Sequence, residues 1–536
     1  QRHAQRLVGM PVSAVTADGS PRASLTMGLW EPALKGPNDG PPRRRSVIAE
    51  TAELLADLVA ADVQTVAFAR SRAGVEVVAA MARERLERAH PAAVSRVAAY
   101  RGGYLPEDRR DLERRLRDRS ILGLAATNAL ELGIDVRGLD AVLLAGWPGT
   151  RASLWQQAGR AGRAGSAALA VFVAADDPLD TYLVHHPEVL FDRPVEATVC
   201  DPGNPHILAP HLAAAAAEVP ITEADETYFG PAMVPLLDAL AGAEILRRRP
   251  TGWYWARADR PTAHLTLRGA GEVVQIVEAS TGRVIGTVDE VAAHSQVHPG
   301  AVHLHQGQPF VVTDLDLVDR IALVTPGDPG WSTQSRSVSA FDIVTPEAEQ
   351  AWGSVGCFFG TVAVRTQVTS FLRRRPTGEV LGEHPLDLPI RTLDTKAVWW
   401  TFPTGVLEAA GLAAPDIPGA AHAAEHAAIG MLPLVASADR WDIGGVSTAL
   451  HPDTGLPTIL IYDGYPGGAG FAERGFGAAP AWLAATRDAI AACSCSRGCP
   501  SCVQSPKCGN GNEPLDKAGA LTILHVALAA SVGSIA

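Results

Sequence analysis

The sequence predicts an α/β protein in which a parallel sheet domain is followed by a helical module and a mixed, β-rich C-terminal region. Three observations carry this. Apolar runs of strand length alternate with helix-periodic segments from Ser46 to Ala175, the pattern of a parallel sheet covered on both faces. Strand-like segments dominate from about residue 271. Five of the seven cysteines crowd between Cys493 and Cys508.

Residues 1–45 are rich in Pro and Gly, end on Arg43-Arg44-Arg45, and read as the tail of a preceding domain plus a linker. The parallel-sheet domain is expected over 46–180. It should open with a helix over Val47–Ala60, a strand over Thr65–Ala69 and a helix over Gly74–Ala89. A strand near Val94–Ala99, a helix over Pro106–Arg117 and strands over Ile121–Ala125, Ala141–Ala145 and Ala168–Val173 should follow. A helix carrying Gly159-Arg160-Ala161-Gly162-Arg163 is expected between the last two strands. Residues 181–270 read as mainly helical and end in the aromatic strand Trp253-Tyr254-Trp255, which suits a winged-helix-like module. Residues 271–350 read as a β-rich accessory module. Its hairpin joins Glu272–Glu278 to Arg283–Val288 across Ser280-Thr281-Gly282. Residues 351–536 form a C-terminal domain with a long strand over Phe358–Phe371, a strand over Thr458–Tyr462, a Gly-rich turn, a helix over Ala479–Ala492 and the cysteines.

The 536 residues suffice for three or four domains, and 47% hydrophobic with 19% charged residues is an ordinary globular composition. A net charge of −12 means that any nucleic-acid track must be local. No apolar run reaches the roughly 20 residues of a membrane span. Clustered rather than dispersed cysteines argue for metal over disulfides and for a cytoplasmic protein.

The segment Gln156-Gln157-Ala158-Gly159-Arg160-Ala161-Gly162-Arg163 sets two guanidiniums among glycines that allow close backbone approach. The alternative is a Gly-rich turn with surface arginines. Taken with Thr127-Asn128-Ala129-Leu130-Glu131-Leu132-Gly133-Ile134-Asp135, the segment resembles motifs VI and V of superfamily II helicases, which belong to the second of two RecA-like domains. The resemblance implies that Arg163 is an arginine finger with Arg160 beside it and that Gln156 orders the γ-phosphate or attacking water. Gly133 and Asp135 then serve the nucleotide and Thr127 the DNA backbone. Arg70 and Arg72 resemble motif IV and Arg101 a motif IVa, both for phosphate contact. No G-x-x-x-x-G-K-[ST] run and no Asp-Glu-x-His or Asp-Glu-x-Asp box occurs in the sequence. The chain is therefore expected to be the C-terminal portion of a longer protein, with residues 1–45 ending the first RecA-like domain, and not to hydrolyse ATP alone.

Cys493-x-Cys495-x₃-Cys499-x₂-Cys502 offers four thiolates on a tightly turned backbone, as a structural zinc site requires, with Cys508 as a substitute ligand. An iron–sulfur cluster is the other metal reading. His422-Ala423-Ala424-Glu425-His426 matches the H-x-x-E-H peptidase pattern but lacks a visible third ligand. A structural polar cluster, with Asp442, is the other reading of these residues.

Motifs V and VI, the run Ala421–Gly430, the turn Tyr462-Asp463-Gly464 to Phe471 and the stretch Cys493–Lys517 together resemble the SftH/MrfA-type bacterial superfamily II DNA helicases, which end in a tetracysteine domain. This implies ATP- and Mg²⁺-dependent 3′-to-5′ translocation on single-stranded or 3′-tailed DNA by a monomer, with structural Zn²⁺, a role in DNA repair and DNA-repair proteins as partners. The alternatives are an RNA helicase or non-unwinding translocase, and a zinc-dependent interaction module or metallopeptidase.

Overall fold

The computed structural model describes the chain apart from residues 2–3, 6–7, 18, 20–23, 35–42, 102–105, 132–137, 163–166, 197–198, 266–272, 306–307, 376–378 and 533–536. The first unit is a parallel sheet of β1 (Leu25–Trp30), β2 (Thr65–Ala69), β3 (Val97–Tyr100), β4 (Gly123–Ala126), β5 (Ala141–Ala145) and β6 (Ala168–Val173) in the order β1-β6-β5-β2-β4-β3. Alternation along the strands separates two cores. Val66, Phe68, Leu124, Val142, Leu144 and Phe172 face one side. Ala67, Ala69, Val97, Ala99, Ala125 and Leu143 face the other, where the helix Val47–Ala60 buries Ala52, Leu55, Ala56 and Val59 at helical spacing.

Four sequence expectations change here. β1 lies within the stretch expected to be preceding domain and linker, yet it pairs with β6 from Leu25↔Ala168 to Trp30↔Val173. The strand expected near Val94–Ala99 begins only at Val97, because Pro91 starts a 3-10 turn that runs to Arg96. The helix before β6 stops at Ala158, with Gly159 as its C-cap, so the double-arginine motif follows the helix instead of lying on it. Helices Pro178–His185 and Pro187–Phe191, placed largely in the winged-helix module from sequence, bury Leu179, Leu183, Val189 and Leu190 in the core of the sheet domain.

The winged-helix fold itself is present. Helices Pro205–Glu218 and Met233–Gly242 pack with the hairpin of β7 (Leu246–Arg249) and β8 (Gly252–Trp255) around Leu212, Met233, Leu237 and Trp253. An accessory sheet follows: β9 (Val273–Glu278), β10 (Val284–Asp289), β11 (Val302–His305), β12 (Gln308–Asp316) and β13 (Ile321–Pro326), ordered β10-β9-β13-β12-β11. The boundary expected at 350 falls inside a continuous hairpin of β14 (Ser332–Trp352) and β15 (Val355–Arg374). With β16 (Val380–Pro385), β17 (Arg391–Thr401), β18 (Ile443–Thr448) and β19 (Thr458–Asp463) it forms the C-terminal sheet. Helices Ile417–Met431, Ala479–Ala492 and Lys517–Val532 pack beside that sheet. One continuous core runs from Phe172 and Leu144 through Leu183 to Trp400, Trp482, Cys499 and Cys502, so the sheet domain and the cysteine-bearing domain share an interior.

Candidate functional site

Because the six strands of the first sheet are parallel, the residues that follow β2, β3 and β4 emerge on one edge. These are Arg70, Arg101 and Thr127. Thr127 is buried, its N–H donates to Tyr100 O, and its Oγ1 accepts from Ala129 N at 3.4 Å to cap a 3-10 turn. Arg101 donates to Glu76 Oε1 at 2.8 Å. Arg70 forms an ion pair with Asp439 of the C-terminal domain. Burial opposes the Arg70 charge, but Asp439, with Asp180 and Asp177 beyond, raises its pKa above the ordinary guanidinium value. Two of the three guanidiniums expected to grip phosphate are thus held by carboxylates. Arg72 opens the helix Arg72–Ala89, with Ser71 as its cap, and its side chain lies outside the described residues.

The segment from Thr127 to Glu131 runs beside the helix Arg151–Ala158 and is fastened to it by Glu131. Ser153 Oγ and Gln157 Nε2 each donate to the Glu131 carboxylate at 2.9 Å, and Arg160 donates to the Glu131 carbonyl. The chain beyond the helix turns back to bridge Leu139 with Ala161, and Gly162 takes a φ of 102° that an L side chain rarely adopts. Through Glu131 the structure therefore ties Arg160 to the short segment that begins at Thr127. Gln156 is exposed, next to the buried Gln157 that reaches Glu131. Arg163, Gly133 and Asp135 lie outside the described residues. Glu131 and Gln157 lie within the two motif segments, but only the packed helix brings them together.

In the C-terminal domain the sulfurs of Cys493, Cys495, Cys499 and Cys502 lie within 4.8 Å of one another. Cys493–Cys499, Cys495–Cys502 and Cys499–Cys502 are 3.4, 3.5 and 3.7 Å apart. A tetrahedron with metal–sulfur bonds of about 2.3 Å has edges of about 3.8 Å, so the set fits zinc. A tight turn builds it. Cys502 N donates to Cys499 O, Cys499 N donates to Cys502 Sγ at 3.2 Å, and Gly498 at φ 103° has no room for a Cβ against Val503. Lys517 Nζ, donating to the Cys493 and Cys495 carbonyls, stands 3.6 Å from Cys495 Sγ. Hydrogen bonding among the four thiols draws Cys493 far below its ordinary range and pushes Cys499 up to about 12. A metal ion held there would bind all four sulfurs as thiolates.

Cys508 is not part of this set. It groups with His422 and His426, which corrects its expected role as a substitute ligand. Asp442, expected beside the histidines, accepts instead from Tyr465 Oη at 2.7 Å and from Asp439 N. Glu425, the base of a peptidase reading, is buried with its carboxyl hydrogen-bonded to Ser447 and its Oε1 packed against Gly445. Burial raises its pKa to about 7.

The Gly-rich turn proves to be a carboxylate cradle that sequence reasoning did not anticipate. Asp463 accepts from the N–H groups of Ala469, Gly470, Phe471 and Ala472 at 2.6–3.2 Å, at the start of the helix Phe471–Gly477. Asn204 Nδ2, at the entry to the winged helix, donates to Pro466 O and Gly468 O, tying that module to the turn.

Comparison with known proteins agrees with this architecture. Residues 49–165 match the helicase conserved C-terminal domain, residues 200–270 the winged helix domain of ATP-dependent helicase HRQ1, and residues 424–503 the MrfA Zn-binding domain. Together they define a class: superfamily II helicase sheets with an appended winged helix and a zinc-binding domain. The chain is 34% identical over 505 residues to the ATP-dependent helicase YprA of Bacillus subtilis, covering 93% of this chain and 66% of that protein. It is 29% identical to ATP-dependent helicase HRQ1 of Saccharomyces cerevisiae, covering 99% of this chain and 51% of that one. The crystal structure of the DUF1998 helicase MrfA bound to DNA superposes with a TM-score of 0.66 at 32% identity, over 98% of this chain and 69% of that one. The chain belongs to the MrfA-type, DUF1998 family of helicases. It spans about two thirds of YprA and half of HRQ1. Among the described residues no helix is long and apolar enough to cross a membrane.

Proposed function

We infer that this chain supplies the second RecA-like half, the winged helix and the zinc domain of an ATP-dependent DNA helicase that moves 3′-to-5′ on single-stranded DNA in the service of DNA repair. The observation that carries the reading is the Glu131 link, which ties Arg160 of the nucleotide-facing motif to the segment that starts at Thr127 on the strand edge. A shift of the arginines on nucleotide turnover would pass through Glu131 to the segment that starts at Thr127. DNA as the nucleic acid is supported by the relative solved on DNA.

ATP with Mg²⁺ would supply the phosphoryl group transferred to water. The residues of this chain would do three things. Arg163, with Arg160 beside it, would neutralise charge developing on the transferred group, and Gln156 would help position the γ-phosphate or water. Gly133 and Asp135 would serve the nucleotide from the same loop. At the strand edge Thr127 would hold a phosphate, and Arg70, Arg72 and Arg101 would join it, two of them by exchanging the carboxylates of Asp439 and Glu76 for the DNA backbone.

The test is Arg163→Ala in the full-length protein. ATPase and unwinding should fall by about 10³-fold or more, the usual loss for an arginine finger, while single-strand binding persists. Retention of a tenth of the ATPase rate would reject the assignment.

A further inference from the structure

His422, His426 and Cys508 form a second centre, separate from the four cysteines. One ligand atom from each lies within 4.8 Å of the others. His422 and His426 are one helical turn apart on Ile417–Met431, with ring centroids 4.2 Å apart. Cys508 comes from the loop between Val503 and Asn512 and places Sγ 3.5 Å from His422 Nε2.

The tautomers follow from the surroundings. His422 Nδ1 lies 2.9 Å from Pro514 O, and His426 Nδ1 lies 3.0 Å from Val503 O. A carbonyl only accepts, so each Nδ1 carries the hydrogen and each Nε2 presents a lone pair. Two acceptors then face one thiol, and a single S–H satisfies only one of them. Asn512 N–H also donates to Cys508 Sγ at 3.2 Å, a contact that suits a thiolate. Imidazoles oriented through Nδ1 by backbone carbonyls, with a hydrogen-bonded thiolate, are the usual outer arrangement of a metal site. With metal–nitrogen bonds of about 2.0–2.1 Å and a metal–sulfur bond of about 2.3 Å, tetrahedral ligands stand about 3.5 Å apart.

We propose that His422, His426 and Cys508 bind a second divalent transition-metal ion, zinc in the first instance, with the fourth place open to water. His426 is buried, whereas His422 and Cys508 are half-exposed and give an ion a way in. Glu425 takes no part, because its carboxyl faces Ser447. The ion would clamp the helix Ile417–Met431 to the loop that follows the four-cysteine centre, so the centre is structural and no hydrolytic step is assigned to it.

Metal analysis of the zinc-saturated, dialysed chain should find two zinc ions per molecule. The double variant His422→Gln/Cys508→Ala should hold one, with its circular dichroism unchanged. Exchange with cadmium-113 should give two resonances, one of four-sulfur and one of mixed nitrogen–sulfur type, the second missing from the double variant. One zinc per wild-type chain together with a single cadmium resonance would overturn the proposal, as would two ions retained by the double variant. If the double variant does not fold, the wild-type cadmium spectrum decides alone.

Discussion

Glu131 satisfies Ser153 and Gln157 through its carboxylate and Arg160 through its carbonyl. Glu131→Ala leaves the carbonyl in place but strands two side chains, one of them buried. A stability loss of about 1–3 kcal/mol is expected, the cost of unpaired buried polar groups, measured as the shift in urea midpoint. Glu131→Gln keeps an acceptor and should lose less, and equal losses for both variants would contradict the assigned role. A second residue-scale prediction concerns acid. His298 is fully buried with its ring 4.7 Å from Phe371, and His294 is buried on the helix Glu290–Gln296. Burial lowers the pKa of both, and for His294 the Arg391 charge adds to it. A histidine with a depressed folded pKa contributes stability that is complete above its unfolded value of about 6.5 and is lost as pH falls through the folded value. The melting temperature should therefore drop between pH 7 and 5.5, and His294→Leu/His298→Leu should flatten that drop. An unaltered slope in the variant would remove these histidines as the cause.

At the scale of elements, the cradle around Asp463 makes a turn into a rigid joint. Gly467, Gly468 and Gly470 adopt φ of 73°, 88° and 93°, and a Cβ on Gly467 would lie 2.5 Å from Asn204 Oδ1. Asp463→Ala should cost at least about 3 kcal/mol, since four N–H groups lose a charged acceptor, and Gly467→Ala about 1–2 kcal/mol for the left-handed backbone alone. Denaturation midpoints would check both. Cys499→Ser should likewise release zinc and lower the melting temperature, because binding energy at such a centre is folding energy. The four-cysteine set was legible from spacing, as were the strands Ala141–Ala145 and Ala168–Val173 from uninterrupted apolar runs. The purpose of the glycines was not, because convergence on Asp463 exists only once the left-handed backbone is in place. Nor was β14, where Pro346 argues against a strand. The structure accommodates it at an irregularity between Pro346 and Ala348. A third ligand for the histidines was not legible either, because Cys508 sits 82 residues beyond His426 in sequence and beside other cysteines that offered it a simpler place.

For the molecule as a whole, composition suggested separate modules, but the core is continuous from the first sheet into the zinc domain. Arg70 and Asp439 mark that junction at the surface, each about one third exposed. A double-mutant cycle between them should give a coupling of up to about 1 kcal/mol, as for other half-exposed pairs, and a coupling of zero would mean that the contact positions nothing. The sequence holds no P-loop lysine, so the chain alone should release phosphate from ATP no faster than an Arg163→Ala control, with or without DNA, and a DNA-stimulated excess would overturn that. β1 has a practical consequence for anyone excising the domain. A cut at residue 45, where composition changes, would discard Leu25–Trp30 and leave one margin of β6 with a bare row of backbone donors and acceptors. Such a margin recruits strands from other molecules, so the trimmed piece should precipitate or pair with itself where a piece that begins before Leu25 stays dispersed.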